Sequence, residues 1–229
     1  MKYGIIGAMQ QEVQWLLSQI NVTNEVTIAN CRFYEGTFAG KEVVLLQSGI
    51  GKVNAAMSTT ILHEQFQPDY IINTGSSGGT DPDLNVGDIV IGEQTIYHDA
   101  DARGFGYEYG QIPQMPLHYF SDGDLIQKAE QVKSVLPPDI QVVKGLIGTG
   151  DSFMSEIDRV EQVKSLLIGV KALEMEATAI AQVCFQYKTP CLIIRSLSDI
   201  AGKESNISFE QYLEKAAKNS ASFILEMLK

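Results

Sequence analysis

Residues 69–79 read Asp69-Tyr70-Ile71-Ile72-Asn73-Thr74-Gly75-Ser76-Ser77-Gly78-Gly79, and this stretch decides the fold. Asp69 to Asn73 is a short apolar run without polar alternation, as expected of a strand buried on both faces. It stops in a cluster of Gly, Ser and Thr, too small and polar to continue a buried strand. The same unit recurs on either side. Tyr3 to Met9 reads as a buried strand, and Val13, Leu16, Leu17 and Ile20 follow at helical spacing. Gln141 to Ile147 ends in Gly148-Thr149-Gly150-Asp151, with helix over Glu156 to Leu167. Cys191 to Arg195 ends in Ser196-Leu197-Ser198-Asp199.

Further elements fill the intervals. Three β-rich pieces fall within residues 25–47, turning at Gly40-Lys41, and Lys52 to Phe66 reads as helix. Gly87 to Gly92 and Gln94 to His98 read as two strands, and helix resumes near Asp122. Ala172-Leu173-Glu174-Met175-Glu176-Ala177-Thr178-Ala179-Ile180-Ala181 reads as one helix. On it Glu174 and Glu176 would lie about 200° apart, so only one could enter a given pocket. In the last helix Ser208 and Gln211 match a capping box, with Ile207 and Tyr212 as its staple. Residues 99–120 are rich in Gly, Pro, Tyr and Phe and lack periodicity, as functional loops often do. Buried strands alternating with helices predict an α/β fold: three α/β/α layers around a mixed, largely parallel twisted sheet. No linker or repeat divides it, so residues 1–229 read as one domain. Ligands in such sheets sit beyond the carboxyl ends of the strands.

Composition narrows the function. The net charge is -11 and no basic run occurs, which argues against nucleic acid as a partner. The three cysteines form no C-x-x-C pair, and the N-terminal apolar run is too short for a secretory or membrane segment. A cytoplasmic protein without membrane contact is expected. His63, His98 and His118 are scattered, so neither a metal site nor a serine-nucleophile triad is expected, and no nucleophile elbow is read. His98, near Asp99 and Asp101, reads as a structural group. Ser48-Gly49-Ile50-Gly51-Lys52 and Gly4-Ile5-Ile6-Gly7 fall short of the phosphate-loop and dinucleotide patterns. Gly75 to Gly79 could be a tight turn or a close backbone approach to a ligand, with Ser76, Ser77 and Gly78 at its centre. Glu12 could serve the dipole of the first helix, and Asp199 could be a turn residue. Taken together, they could be the two carboxylates that glycosidic-bond cleavage needs.

Ordered along the chain, GIIGAM with Glu12, SGIGKVNAA, INTGSSGG, VGDIV, YHDAD, FGYEYGQIP, TGDSF, EMEATAIA and RSLSD resemble the 5′-methylthioadenosine/S-adenosylhomocysteine nucleosidases. These belong to the purine nucleoside phosphorylase superfamily, and the resemblance spans nearly the whole chain. It implies a homodimer without a cofactor. The reaction implied is hydrolysis of the N9–C1′ bond, releasing adenine and a thioribose in methionine salvage and methyl-cycle by-product removal. It implies Asp199 as the acid at adenine N7 and Glu12 as the base that activates water, with Arg195 and Ser76 holding that water. Met175 and Glu176 would bind ribose, Phe153 would stack on adenine, and the Met154 backbone would read the base edge. Met9, Ile50 and Phe209 would wall the sugar and 5′ sulfur. Phe105 and Pro113 would be lent by the neighbouring subunit. The chain departs from the family pattern at Gln10, Gln11, Ser77, Thr149 and Met154. A phosphorylase of the same fold, a futalosine-type hydrolase and a nucleoside-binding protein without activity are the alternatives.

Overall fold

A computed structural model describes residues 1–202 and 205–229, apart from the side chains of 135 and 205–208. Its strands are β1 (Lys2–Gly7), β2 (Asn21–Ile28), β3 (Cys31–Phe38), β4 (Lys41–Gln47), β5 (Tyr70–Asn73), β6 (Ser76–Gly79), β7 (Ile89–Tyr97), β8 (Tyr119–Phe120), β9 (Val142–Thr149), β10 (Val170–Glu174) and β11 (Cys191–Ile200). The α-helices are α1 (Gln10–Gln19), α2 (Lys52–Phe66), α3 (Gly123–Val132), α4 (Ile157–Leu166), α5 (Ala177–Tyr187) and α6 (Ser205–Met227). One sheet joins the strands in the order β2-β3-β4-β1-β5-β11-β6-β10-β9-β7-β8. Its centre is parallel: β1 pairs with β4 and β5, and β5 with β11. The β2–β3 and β3–β4 pairs are antiparallel, which makes the sheet mixed, as expected.

One feature of the sheet was not anticipated. Strand β7 pairs in parallel with β9 and also antiparallel with β11. β11, β6, β10, β9 and β7 therefore close into a ring at one end of the sheet.

Strand alternation builds the layers. Within β1, Ile5 joins the core under α1, α3 and α6, while Ile6 joins the core under α2 and α5. Both are fully buried. In β11 the same split sends Leu192 and Ile194 one way and Ile193 the other. Each such side chain contributes about 1.5–3 kcal/mol on burial. A third cluster, with Val160 and Val163, seats α4. Among the described residues no helix is long and apolar enough to cross a membrane.

Several local expectations change. Ala172, Leu173 and Glu174 end strand β10 and do not start the helix, which begins at Ala177. Flanking strands β6 and β9 supply ladder partners to this run, and tertiary pairing overrides its helix propensity. Gly75–Gly79 is not a plain turn, since Ser76–Gly79 pairs with β10 and β11. Residues 89–97 form one strand whose register shifts between Gly92 and Gln94, rather than two strands. Strand β2 starts at Asn21, and α6 at Ser205 already contains Ser208, which therefore is not an N-cap. The Ile207 staple lies outside the described side chains. Residues 99–120 hold only a 3₁₀ turn at Arg103–Phe105, a bridge from Asp101 to Tyr109, and β8.

Gly36 tests the packing at the sheet edge. A Cβ there would stand 2.4 Å from the Asn21 carbonyl oxygen and 2.8 Å from Ile20 Cγ2. Backbone, not a flexible side chain, would have to move. Gly36→Ala should lower stability by about 1–3 kcal/mol in urea unfolding. Gly104→Ala, whose Cβ would meet nothing within 4 Å, should stay within about 0.5 kcal/mol of the parent. Equal midpoints for the two variants would contradict this packing.

Candidate active site

The strand ends β1, β5–β6, β9, β10 and β11 converge on one cavity of about 280 Å³. Glu12 and Asp199 both line it, as do Ser76, Ser77 and Gly78. Met9, Ile50, Phe153, Met175 and Phe209 supply its apolar wall, and Glu176 enters from the start of α5. The rings of Phe153 and Phe209 meet edge to face, with centroids 5.5 Å apart.

Glu12 is 4% exposed and fixed by four donors. Its Oε2 accepts from the Ala8 and Met9 N–H groups at 2.8 and 3.1 Å. Its Oε1 accepts from the Ser76 N–H at 2.9 Å and the Ser76 hydroxyl at 3.0 Å. The contact to Met9 N–H is the reach back to the N-cap that Glu at the third helical position makes in a capping box. Glu12 therefore does serve its helix, and the same bonds aim it into the cavity.

Asp199 is 2% exposed and takes a 2.8 Å bond from the Ser198 hydroxyl to Oδ1. Two glycines leave room for the two carboxylates. A Cβ on Gly75 would lie 2.9 Å from Glu12 Oε1, and one on Gly78 would lie 3.0 Å from Asp199 Oδ2. Close approach is thus the reason for glycine at both positions.

Glu174 and Glu176 divide the work that the sequence left unresolved. Glu174 also lines the cavity, but its carboxylate is held in an ion pair with Arg195, Nη2 to Oε2 at 2.6 Å, with side chains 3% and 1% exposed. Glu174 Oε2 also accepts from the Glu176 and Ala177 N–H groups at 3.0 and 2.9 Å. Its Oε1 accepts from the Thr149 hydroxyl. Glu174 thereby caps α5 and sets the backbone that carries Glu176. Glu176 Oε1 accepts from the Gly51 N–H at 2.8 Å. Burial first, then the charges of Glu174 and Glu12, push the Glu176 carboxyl up to about 8.

Not every expected residue lines this cavity. Arg195 does not; it points to Glu174 and to Asn73 Oδ1, 2.6 Å away, while its Nε is buried without a partner among the described residues. Met154 lines a small adjoining recess of about 30 Å³ that shares Gly78, Phe153, Met175 and Asp199. Phe105 (87% exposed) and Pro113, also exposed, lie outside it. His98 is buried and outside the cavity; burial pushes its imidazole down. Residues 75–79 do carry the G-x-S-x-G spacing, contrary to the expectation above. They form β6 rather than a strand-to-helix elbow, and no histidine lines the cavity, so no serine triad is assembled there.

Leu173, Ser198 and the Gly51 N–H belong to the site without having been read from sequence. Gly51 left a signal: it stands in a Gly-x-Gly run, and its φ of +93° needs glycine. A larger groove of about 590 Å³ runs beside Phe120, Phe185 and Pro190. It brings no pair of carboxylates together, so size alone does not locate the chemistry. Among the described residues no group of three or more His, Cys, Asp or Glu could hold a metal ion.

The sequence profile of the phosphorylase superfamily matches residues 2–229. The 5′-methylthioadenosine/S-adenosylhomocysteine nucleosidase of Bacillus licheniformis is 57% identical over 229 residues, covering 100% of this chain and 99% of that one. The nucleosidase of the same name from Colwellia psychrerythraea, solved in complex with adenine, superposes with a TM-score of 0.97 at 48% identity, covering 100% of this chain and 94% of that one. The Neisseria meningitidis nucleosidase, solved with methylthio-immucillin-A, gives a TM-score of 0.97 at 44% identity, covering 100% and 98%. With such identity over essentially its full length, the chain belongs to the phosphorylase superfamily and, within it, to the 5′-methylthioadenosine/S-adenosylhomocysteine nucleosidase family.

Proposed function

We propose that this protein hydrolyses the N9–C1′ bond of 5′-methylthioadenosine and S-adenosylhomocysteine, and also of 5′-deoxyadenosine, releasing adenine and the free sugar. The observation that carries the reading is the convergence of Glu12, Asp199 and Glu176 on one cavity with an aromatic wall. Adenine leaves poorly as an anion. Asp199, near the end of β11, protonates N7, and Phe153 stacks on the base; both line the cavity, which supports these roles. The Met154 backbone reads the base edge from the adjoining recess. As the bond breaks, the sugar gains positive charge, which carboxylates in a water-poor site stabilise. Glu176 accepts from the ribose hydroxyls beside Met175, and Met9, Ile50 and Phe209 enclose the 5′ substituent.

Glu12 accepts the proton of the attacking water. Its partner Ser76 carries a hydroxyl that can turn from donor to acceptor, and so can exchange Glu12 for the water. Arg195, whose buried Nε has no acceptor among the described residues, helps hold that water from behind the cavity lining. Acid and base groups of this kind each contribute about 10²–10⁴-fold. The whole chain, 1–229, acts as one nucleosidase domain in the cytoplasm, in methionine salvage and removal of methyl-transfer by-products. It works as a homodimer without cofactor, metal, nucleic acid or membrane. In that dimer Phe105 and Pro113 close the 5′ pocket of the partner, which accounts for a phenylalanine left 87% exposed.

A phosphorylase must hold a phosphate dianion beside C1′. No arginine lines the cavity, and Glu12 and Glu176 stand where that anion would sit, so the same fold favours neutral water. Activity should be full in phosphate-free buffer, with free methylthioribose as product by mass. Dependence on added phosphate, or a sugar 1-phosphate, would overturn hydrolysis. Futalosine cleaved in preference to methylthioadenosine would favour the futalosine-type hydrolase, and nucleoside bound without turnover a binding protein.

Glu176 also gives the free protein a pH signature. Below its ordinary 4.5 the group is protonated in folded and unfolded chains alike and costs nothing. As pH rises to about 8 the unfolded chain gives up this proton first, and stability falls by on the order of a few kcal/mol. Glu176→Gln abolishes that loss. Its Tm should exceed the parent's at about pH 8 and approach it near about pH 5. A Tm difference independent of pH would contradict the buried, proton-holding Glu176.

A further inference from the structure

Three charged groups outside the cavity close a triangle at its sugar end. Lys52 opens α2 directly after Gly51. Its ammonium donates to both oxygens of Asp99, at 2.8 and 2.7 Å, and lies 3.9 Å from Asp151 Oδ2. The Lys52 N–H donates to Asp151 Oδ1 at 2.8 Å, and the Asp151 N–H donates to Asp99 Oδ2 at 2.9 Å. Lys52 Nζ also lies 5.3 Å from the centre of the Tyr97 ring. The start of α2, the residue pair after β7 and the residue pair after β9 are thus tied to one another.

Each tied segment continues into the site. Gly51 donates to Glu176, Asp151 precedes Phe153 by two residues, and Asp99 opens the segment that carries Phe105 and Pro113. The N-cap of α2 is glycine, which has no side chain to cap the helix. Asp151 supplies the missing acceptor from another part of the chain. A Cβ on Gly51 would lie 3.0 Å from Asp151 Oδ1, so the capping carboxylate and the glycine fit each other. The groups are partly exposed, at 27% for Lys52 and Asp99 and 48% for Asp151. Ion pairs at such exposure add little to global stability. Their geometric effect remains: they fix where the Gly51 N–H points.

We infer that Lys52, through Asp99 and Asp151, is a positioning residue for sugar recognition, holding the start of α2 so that the Gly51 N–H stays on Glu176. This rests on Glu176 as the ribose carboxylate. Lys52 touches no reacting atom, so its loss acts on binding rather than on the chemical step.

Steady-state kinetics on methylthioadenosine and its 2′-deoxy analogue test the inference with Lys52→Met, Asp99→Asn, the double variant and Lys52→Arg. Either single change should raise KM for methylthioadenosine about tenfold with kcat within about twofold, and the double change should add nothing further. The 2′-deoxy analogue should lose less than about threefold, and Lys52→Arg, which keeps the charge on Asp99, should recover most of the affinity. Unchanged KM, equal losses on both substrates, additive losses in the double variant, or a loss in kcat alone would each overturn it. Glu176→Gln on the same two substrates separates the premise. If that variant treats both alike, the ribose assignment fails; if it discriminates and Lys52→Met does not, only the positioning role fails.

Discussion

The buried pair between Arg195 and Glu174 is the interaction on which the site depends. Its two side chains are almost wholly removed from water, and the pair joins β11 to β10 while Asn73 ties it to β5 and Thr149 to β9. Desolvating two such charges is expensive, and the pair earns little net stability over an apolar equivalent. Removing one partner is another matter, costing about 3–5 kcal/mol, because the other charge is then stranded. What the pair secures is geometry. Glu174 holds the two N–H groups that begin α5, and Glu176 is carried on the first of them. The same negative charge helps keep a proton on Glu176.

Around that pair, the chain brings carboxylates together in different roles by giving them different surroundings. Glu12 is held by four donors from the link between β1 and α1 and from β6. Asp199 has a serine hydroxyl beside it and a glycine opposite. Glu176 is buried among like charges, with the Arg195 charge and one backbone donor opposing them. The closed end of the sheet explains how they meet. Pairing of β7 with β11 closes the later strands into a ring, and the carboxyl end of β10 then lies beside the start of β6, with Asp199 of β11 opposite Gly78.

The fold was legible wherever strands are buried on both faces. Ile5-Ile6, Ile71-Ile72 and Leu192-Ile193-Ile194 have no polar alternation because helices cover both sides. The first two strands match the expected bounds within two residues, while the third starts at Cys191 as expected but runs on past Arg195 to Ile200, because ladders to β6 and β7 extend it through its polar residues. Ala172-Leu173-Glu174 was not legible. Alanine, leucine and glutamate all favour helix, and only the ladders to β6 and β9, set by distant parts of the chain, make them a strand. The ring closure was hidden for the same reason, since no local pattern marks the second partner of β7. Of the site, the motif-bearing residues Glu12, Ser76, Phe153, Glu176 and Asp199 were found from the resemblance, and the structure brings them to one cavity. Glu174 and Gly51 were missed as contributors. The Glu174 carboxylate is taken up by Arg195, Thr149 and the start of α5, partners that only the fold brings to it, and Gly51 acts through a backbone N–H, which leaves no side-chain signature.

The proposed bond cleavage depends on a proton delivered by Asp199 to N7 of the base. The most direct measurement replaces that atom. In 5′-methylthio-7-deazaadenosine a C–H stands at position 7 and cannot take the proton, while the ribose, the 5′ substituent and the stacking face are unchanged. This analogue should compete with methylthioadenosine for the site and release no free base over many turnover times of the natural substrate. Release of 7-deazaadenine at a rate comparable to that of adenine would contradict it.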